Sequence, residues 1–342
     1  MIHSSSGCAA GDRPRVSIVA PCFNEDETIG EFHRRARAAA VAVVAEDFEI
    51  VLVDDGSTDR SWQLISELTV RDPQVVGVRL RRNYGHQMAV MAGLQAARGE
   101  RVLLIDADLQ DPPELLAAMM ELMDGGPEVV YGKRVERAGE TLFKRATAAV
   151  FYRILRTLSS VDIPVDSGDF RLMNRRVVDI LLSMPEQHRF TRGLVSWIGG
   201  SQVAISYARD PRFAGETKYP LSKMARFAID ALTSFSIKPL RLATWLGFLS
   251  AFFAFGLMAY SSVRWAIGEV VDGWTSLIMA VAAFAAVQLI VLGILGEYVG
   301  RLVLESKRRP LFIVDTVLRA TSLQAITEAP DAPPAADVGQ PR

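Results

Sequence analysis

Two long stretches without charged side chains, near the C-terminus, constrain this chain more than any other feature of its sequence. They span residues 242–263 and 275–296. A helix that crosses the hydrocarbon core of a bilayer needs about 20 predominantly apolar residues, and its internal hydrogen bonds satisfy the backbone without water. Both stretches therefore predict transmembrane helices, joined in a hairpin. The alternative is a pair of core helices buried inside a soluble domain.

Basic residues flank the two stretches asymmetrically. Lys238 and Arg241 precede the first stretch, Arg301 and residues 307–309 follow the second, and the connection contains only Arg264. Lys and Arg are enriched on the cytoplasmic side of membrane proteins. We therefore expect a multi-pass protein of the cytoplasmic (inner) membrane, with both termini and the region before the hairpin in the cytosol.

Strand and helix patterns alternate in the first part of the chain. The predicted strands are 16–21, 48–53, 75–80 and 101–105, and the predicted helices between them are 25–44, 59–70 and 87–97. This alternation predicts an α/β domain with a mostly parallel sheet and a ligand crevice at the C-terminal ends of its strands. The domain is assigned to residues 14–220, after a disordered tail at 1–13.

Two further segments combine apolar residues at helical spacing with basic residues. Residues 141–158 and 221–239 are predicted to be amphipathic helices that lie in the interface of an anionic leaflet. Surface helices that cover the sheet are the alternative. Residues 301–342 are predicted to form a cytosolic tail, disordered beyond residue 325.

Carboxylates appear where the strand at 101–105 ends. Asp106 and Asp108 lie in the run LLIDADLQDPP, and alternate residues at a strand end can point at one site. Mg²⁺ and Mn²⁺ prefer oxygen ligands and leave positions open for substrate phosphates. The run therefore predicts a divalent metal, Mg²⁺ or Mn²⁺, that bridges a diphosphate. By itself the pattern also fits a solvated turn before a helix that starts at Glu114.

Two other strand ends add polar residues to the same edge of the predicted sheet. They carry the sequences PCFNE at 21–25 and VDDGSTD at 53–59. Carboxylates there can accept hydrogen bonds from a uracil ring or from ribose hydroxyls, and Gly56 lets the backbone pass close to a nucleotide. Each is explicable as a turn with a helix cap, but three on one edge favour a nucleotide site.

Charge and cysteine content exclude other classes of function. The chain has 38 Lys and Arg against 39 Asp and Glu, so it lacks the basic field that drives nonspecific nucleic-acid binding. Cys8 and Cys22 have the spacing of neither a metal site nor a disulfide framework, which fits a reducing compartment. The histidines His33, His86 and His188 are expected to lie at the surface or to form hydrogen bonds. Their positions do not suggest a metal cluster.

Together these motifs resemble glycosyltransferase family 2, whose members have the nucleotide-sugar-binding GT-A fold. The resemblance rests on PCFNEDETI, VDDGSTD, RRNYGHQMAVMAGLQAARG and IDADLQDPPEL. The segments SGDFRLMNRRVV, RFTRGLVSWIGG and RFAGETKYPLSKM, with the hairpin, are similar to the branch that glycosylates polyprenyl phosphates. That branch includes bactoprenol glucosyltransferases and, more distantly, dolichol-phosphate mannose synthases.

The resemblance implies roles for residues at matching positions. The metal and diphosphate would be bound by Asp106, Asp108 and Gln110. The nucleoside pocket would be lined by Pro21, Asn24, Glu25, Asp55, Asp59, Asp106 and Ala107. Phosphates of the acceptor or donor would be held by Arg134, Lys144, Arg212 and Lys218.

Asp169 matches the proposed catalytic base of the family, and Asp108 would be the second catalytic residue. A phosphate monoester has a second pKa near about 6, so a lipid phosphate is largely ionised at neutral pH and hardly needs a base. Asp169 would alternatively position the acceptor or a sugar hydroxyl. A third interpretation is a salt bridge from Asp169 to Arg171 or Arg175.

The implied reaction is an inverting transfer of one sugar from a nucleotide sugar to undecaprenyl phosphate, for cell-envelope glycosylation. UDP-glucose is the leading donor, and GDP-mannose, UDP-galactose and UDP-N-acetylhexosamines are the alternatives. The sequence RGLVSW at 192–197 replaces the Gln-X-X-Arg-Trp motif of processive synthases, which implies transfer of a single sugar. A homo-oligomer is also expected, because a two-span anchor has few contacts of its own. A non-catalytic membrane scaffold is the remote alternative.

Overall fold

The structure is a computed structural model that describes residues 13–134, 167–187, 189–208, 238–268 and 273–320. The predicted amphipathic helix at 141–158 lies outside the described residues, and so does the helix predicted at 221–239 except for its last two residues, which begin a longer helix. Three of the predicted phosphate-binding residues, Lys144, Arg212 and Lys218, also lie outside the described residues.

The described residues form an eight-stranded sheet in the order β7-β5-β6-β4-β1-β2-β3-β8. Its central strands are parallel: β1 (Val16–Cys22), β2 (Phe48–Asp54), β3 (Val75–Leu80) and β4 (Arg101–Leu104). The other strands are β5 (Val129–Arg134), β6 (Ser167–Asn174), β7 (Gln202–Tyr207) and β8 (Val314–Leu318). β6 is antiparallel to both β4 and β5, whereas β5 and β7 are parallel.

Helices cover both faces of the sheet. One face carries α1 (Ile29–Val44), α2 (Ser61–Arg71) and α4 (Leu116–Asp124), and the other carries α3 (His86–Ala96), α5 (Arg175–Ser183) and α6 (Thr191–Ile198). Every residue of β1 and β2 is buried, and both strands are largely apolar, as expected for strands that are covered on both faces. The buried polar residues Ser17 and Glu49 satisfy each other through a hydrogen bond between their side chains. The predicted α/β domain of the GT-A type is therefore confirmed.

The first helix begins later than predicted. Residue 25 was the expected start, but α1 begins at Ile29. Asn24 has a φ of 55°, in the left-handed region, and the backbone N–H of Thr28 donates to the carbonyl of Glu25 across a turn. The polar residues after β1 therefore form a loop at the sheet edge instead of a first helical turn.

Two long apolar helices leave the domain, α7 (Lys238–Ala266) and α8 (Trp274–Ser306). They pack against each other, with the rings of Phe253 and Phe284 6.2 Å apart. Segments 243–264 and 279–306 are long and apolar enough to cross a membrane, and their most apolar windows are 0% buried within the chain. Among the described residues nothing covers these windows, which favours membrane association over core helices in a soluble domain.

After α8 the chain returns to the sheet. β8 pairs antiparallel with β3, and the Arg319 guanidinium lies 3.4 Å from the buried Glu49 carboxylate. The sequence predicted only a tail at 301–342 and missed this strand, because five residues carry little pattern. The sheet edge at β3 is thus covered by a segment that lies beyond the hairpin.

Gly93 allows α3 to lie close against the sheet. A Cβ atom at this position would be 2.4 Å from Cγ1 of Val19 and 2.9 Å from Cγ2 of Val53. We expect Gly93→Ala to destabilise the fold by about 1–3 kcal/mol through overpacking, measured as a lower Tm of the purified protein. Gly30→Ala is the control, because a Cβ there meets nothing within 4 Å. Equal Tm values for the two variants would contradict the close packing of α3.

Candidate active site

A cleft of about 850 Å³ opens where the central parallel strands end. This is the edge at which open α/β sheets bind ligands. Its walls come from the ends of β1, β2, β4 and β6 and from the first residues of α3. The predicted site residues that line it are Pro21, Glu25, Asp55, Asp106, Ala107, Asp108 and Asp169. The structure therefore brings these seven predicted residues together around one cleft, and their roles stay predictions.

Other predicted residues lie beside the cleft without lining it. The Asn24 side-chain oxygen accepts a hydrogen bond from the backbone N–H of Thr58 at 2.9 Å. Asp59 accepts from the backbone N–H groups of Asp26 and Ser61. These bonds join the loops after β1 and β2 and fix the rim on which the nucleoside pocket was predicted.

Arg134 also lies outside the cleft lining. Its guanidinium is 3.5 Å from the buried Asp111 carboxylate and donates to the Tyr207 hydroxyl. The Tyr207 hydroxyl in turn donates to Asp111. Gly168 makes room for this arginine, because a Cβ there would lie 2.6 Å from an Arg134 nitrogen. A phosphate-binding role for Arg134 therefore stays a prediction.

Asp55 holds the loop before α3. Its two carboxylate oxygens accept hydrogen bonds from the backbone N–H groups of Tyr84 and Gly85, at 2.8 and 2.9 Å. A Cβ at Gly56 would lie 2.5 Å from the Arg82 carbonyl carbon. The sequence attributed Gly56 to a close nucleotide, but the backbone that approaches it is that of the β3–α3 loop. This packing sets the position of His86 at the start of α3.

Asp106 is a poorly satisfied carboxylate at the centre of the cleft. Its side chain is 28% exposed, yet its Oδ1 atom is buried. Among the described residues this oxygen accepts no hydrogen bond, and Nε2 of His86 lies 3.6 Å from it. Burial raises the pKa of Asp106 to about 6, and the carboxylates Asp169 and Asp108 add to the rise while His86 opposes it. A buried carboxylate oxygen without a donor, among other carboxylates, favours a bound cation.

The carboxylates here do not form a complete cage. Within the part of the chain that the structure describes, no three His, Cys, Asp or Glu side chains are grouped to enclose a metal ion. Mg²⁺ commonly binds through one or two carboxylates and completes its shell with water and substrate phosphates. Asp106 and Asp108 fit that pattern. The backbone N–H of Gln110 donates to Oδ1 of Asp108 at 3.1 Å, which orients the second carboxylate.

Asp169 is 4% exposed and is held by three side chains. His86 Nε2 and Gln87 Nε2 each lie 3.1 Å from Oδ2, and Nε of Arg192 donates to Oδ1 at 3.0 Å. Burial raises the pKa of Asp169, but the His86 hydrogen bond and the Arg192 charge outweigh it and hold the pKa well below its ordinary value. Asp169 is therefore ionised throughout the physiological range.

Asp169 does form a salt bridge with an arginine, but that arginine is Arg192 and not Arg171 or Arg175. The charge of Arg171 nevertheless helps to lower the pKa of Asp169. Arg171 donates to the carbonyl of Gly168, and Arg175 donates to backbone carbonyls between β4 and α3. Arg171 and Arg175 are thus occupied by main-chain carbonyls that lie close to them in the fold. The spacing of residues in the sequence does not reveal such contacts.

Sequence reasoning missed three residues of this site as functional residues: His86, Gln87 and Arg192. His86 was expected only in a surface or hydrogen-bonded role, and the structure confirms the hydrogen bond. His86 and Asp169 are 83 positions apart, so no local pattern joins them. The motifs RRNYGHQ and RFTRGL, which carry these residues, were the available signal.

Known proteins provide an independent comparison. The family model described as glycosyl transferase family 2 matches residues 17–181. An uncharacterized glycosyltransferase of Bacillus subtilis strain 168 is 45% identical over 301 residues, covering 87% of this chain and 92% of its own. A prophage bactoprenol glucosyl transferase homolog of Escherichia coli K12 is 38% identical and covers 89% of this chain and 99% of its own. A bactoprenol glucosyl transferase of Shigella phage SfV is also 38% identical, covering 88% and 98%.

The Asp55 hydrogen bonds generate a prediction. Asp55→Ala leaves the Tyr84 and Gly85 N–H groups without their acceptor, at a cost of about 1–3 kcal/mol. We expect a lower Tm and faster hydrogen exchange in residues 83–86. Asp47→Ala is the matched control, because this exposed aspartate precedes the other end of β2. Unchanged exchange in Asp55→Ala, with weaker nucleotide binding, would assign Asp55 to the ligand instead.

Proposed function

Because the chain belongs to glycosyltransferase family 2, we propose that it transfers a single sugar from a nucleotide sugar to a polyprenyl phosphate. The proposed pair is UDP-glucose and undecaprenyl phosphate, at the cytosolic face of the membrane. The single observation that carries the proposal is the cleft in which the donor-free oxygen of Asp106 lies beside the tightly held Asp169. The product would be a polyprenyl-phosphate sugar for cell-envelope glycosylation.

The donor would lie across the strand ends. A cleft of about 850 Å³ falls within the range of about 300–1,000 Å³ that is usual for small-molecule sites. The nucleoside would contact the loops after β1 and β2, near Pro21, Glu25 and Asp55. The diphosphate would lie near Asp106, Ala107 and Asp108, which leaves the sugar close to Asp169.

A divalent cation, Mg²⁺ or Mn²⁺, would be held by Asp106 and Asp108, with Gln110 adjacent. When bound, it neutralises the negative charge that develops on the departing nucleoside diphosphate. The donor-free oxygen of Asp106 supports this assignment. The N–H of Gln110 holds one oxygen of the Asp108 carboxylate through a hydrogen bond.

Asp169 would position a reactant and would not remove a proton. Its lowered pKa makes the carboxylate a weak base, and an acceptor phosphate with a second pKa near about 6 is largely ionised already. In an inverting transfer, a phosphate oxygen of the acceptor forms a bond to the anomeric carbon as the bond to the nucleoside diphosphate breaks. No proton has to move, so the task of Asp169 is to orient a sugar hydroxyl or the charged groups around it.

The acceptor would come from the membrane. The apolar helices α7 and α8 support membrane association, and the named relatives from Escherichia coli and phage SfV are bactoprenol glucosyl transferases or a homolog of one. His86 and Arg192 line the cleft and bring cationic donors to a site that an anionic phosphate must enter. The phosphate-binding roles of Lys144, Arg212 and Lys218 stay predictions, and so does the formation of a homo-oligomer.

A donor panel tests the proposed reaction. The full-length protein in nanodiscs is given undecaprenyl phosphate and radiolabelled UDP-glucose, UDP-galactose, UDP-N-acetylglucosamine or GDP-mannose, and label is counted in the lipid phase. We expect UDP-glucose to be the best donor, EDTA to abolish transfer, and Mg²⁺ or Mn²⁺ to restore it. Transfer from no donor would favour the scaffold alternative, and EDTA-resistant transfer would contradict the metal.

A variant of Asp106 tests whether this carboxylate holds the proposed cation. Asp106→Asn is expected to lower kcat by about 100-fold or more, because it weakens the electrostatic stabilisation of the leaving group. Asp124→Asn is the control, since this exposed aspartate of α4 pairs only with Arg101 among the described contacts. Similar kcat values for both variants would contradict a role for Asp106.

The role of Asp169 is tested by pH. Because its pKa lies below the ordinary value, the carboxylate stays ionised from pH 6 to 9, so the titration of Asp169 contributes nothing to the pH profile of the wild type there. We expect Asp169→Asn to lower kcat by about 100-fold, by the same factor at every pH. A defect that shrinks above the second pKa of the acceptor phosphate would indicate a catalytic base.

A further inference from the structure

The segment that joins α5 to α6 touches both the membrane hairpin and the cleft. It comprises residues 184–192, of which the structure describes all but His188, and is termed the α5–α6 segment below. The sequence analysis assigned no catalytic or binding role to any of its residues: His188 was expected only at the surface or in a hydrogen bond, and Arg192 was noted only as part of the RGLVSW run. Its contacts at the two ends indicate a further positioning role.

At the membrane side, the α5–α6 segment is bound to the last turn of α8. The backbone N–H of Gln187 donates to Oε1 of Glu305 at 2.8 Å, and its side-chain amide donates to the Arg309 carbonyl at 3.1 Å. Glu305 lies nine residues beyond the predicted span 275–296, roughly 14 Å along the helix axis. Glu305 is also the second-last residue of the apolar segment 279–306, so these bonds lie at the end of α8 that faces the domain.

The middle of the segment is folded around a buried cation. Arg189 is 8% exposed, and its guanidinium donates to the carbonyls of Leu181, Met184 and Glu186. Burial lowers the pKa of Arg189, and the negative charges of Glu186 and Glu305 oppose that shift. Glu305 thus contributes both an acceptor and a compensating charge to the segment.

At the cleft side, the segment supplies or supports two of the groups that hold Asp169. The N–H and hydroxyl of Thr191 donate to Oε1 of Gln87, at 2.9 and 2.7 Å, and the amide nitrogen of Gln87 donates to Asp169. Arg192 donates to the other oxygen of Asp169. Thr191 is fully buried, so its position is set by the packing of this segment.

We propose that the α5–α6 segment is a positioning element that connects the last turn of α8 to the Asp169 carboxylate, and that Glu305 and Gln187 are positioning residues for sugar transfer. Gln187 and Thr191 are four positions apart in the sequence, so a displacement at Glu305 has only a short path to the groups around Asp169. Reaction rates are sensitive to such shifts, since a misplacement of the reacting groups by about 1 Å can lower the rate about 100-fold. The kinetic part rests on the proposed function.

Hydrogen exchange tests the connection without reference to activity. The full-length wild type, Glu305→Ala and Glu297→Ala are compared in nanodiscs. Glu297 is the matched control, because it lies on the same helix and pairs with Arg301 one turn away. Glu305→Ala should raise the exchange rate of the Gln187 and Thr191 amides by about ten-fold, as expected when a charged acceptor is lost. Exchange in β1 and β2 should not change.

Kinetics test the consequence for the reaction. Glu305→Ala should lower kcat about ten-fold, with KM for the donor within about two-fold, because the reacting geometry is disturbed while the donor site is intact. Glu305→Gln keeps an oxygen that accepts from the Gln187 N–H and should retain at least about a third of the wild-type kcat. Glu297→Ala should match the wild type.

Several outcomes would overturn the inference. They are unchanged exchange at Gln187 and Thr191 in Glu305→Ala, an exchange increase that extends through β1 and β2, or a Glu305→Gln variant as slow as Glu305→Ala. A wild type that transfers no sugar from any donor would refute the proposed function instead. In that case the exchange measurement still decides whether Glu305 orders the segment.

Discussion

A carboxylate that is almost fully buried must be surrounded by donors, and Asp169 meets this requirement by drawing together three separate segments. It lies on β6, while His86 and Gln87 begin α3 and Arg192 lies in the first turn of α6. Without these partners, an ionised group at this depth would cost several kcal/mol. The side of the cleft that β6, α3 and α6 form therefore depends on a single buried carboxylate and its hydrogen bonds.

Asp106 and Asp169 face the same cleft but have opposite environments. Burial raises the pKa of Asp106 to about 6, and Oδ1 of this side chain has no donor among the described groups. The pKa of Asp169 is lowered by His86 and Arg192. Paired acidic groups with pKa values pushed apart commonly have different tasks. Here the first is suited to receive a cation and the second to act as a fixed negative charge.

Sequence patterns predicted the four central strands β1–β4 because these depend on local signals, but they did not predict β5, β6 and β7. The central strands are short, largely apolar segments, and Asp106 and Asp108 lie within four residues of the end of β4. The partners of Asp169 were not predicted, because they come from distant segments that meet only in the folded chain. The same limit applies to Asp55, whose carboxylate has a neighbouring loop as its partner. β8 was missed because its pairing with β3 is decided by an edge that lies over two hundred residues earlier.

β8 has a consequence for how the domain sits at the membrane. Since the chain enters the hairpin through α7 and returns from α8 to the β3 edge, the domain is attached at two points instead of one. A single flexible tether permits free tumbling, whereas two attachments limit rotation about the membrane normal and tilt towards it. An acceptor confined to the bilayer would then meet the cleft at a high effective concentration. The encounter becomes a search in two dimensions.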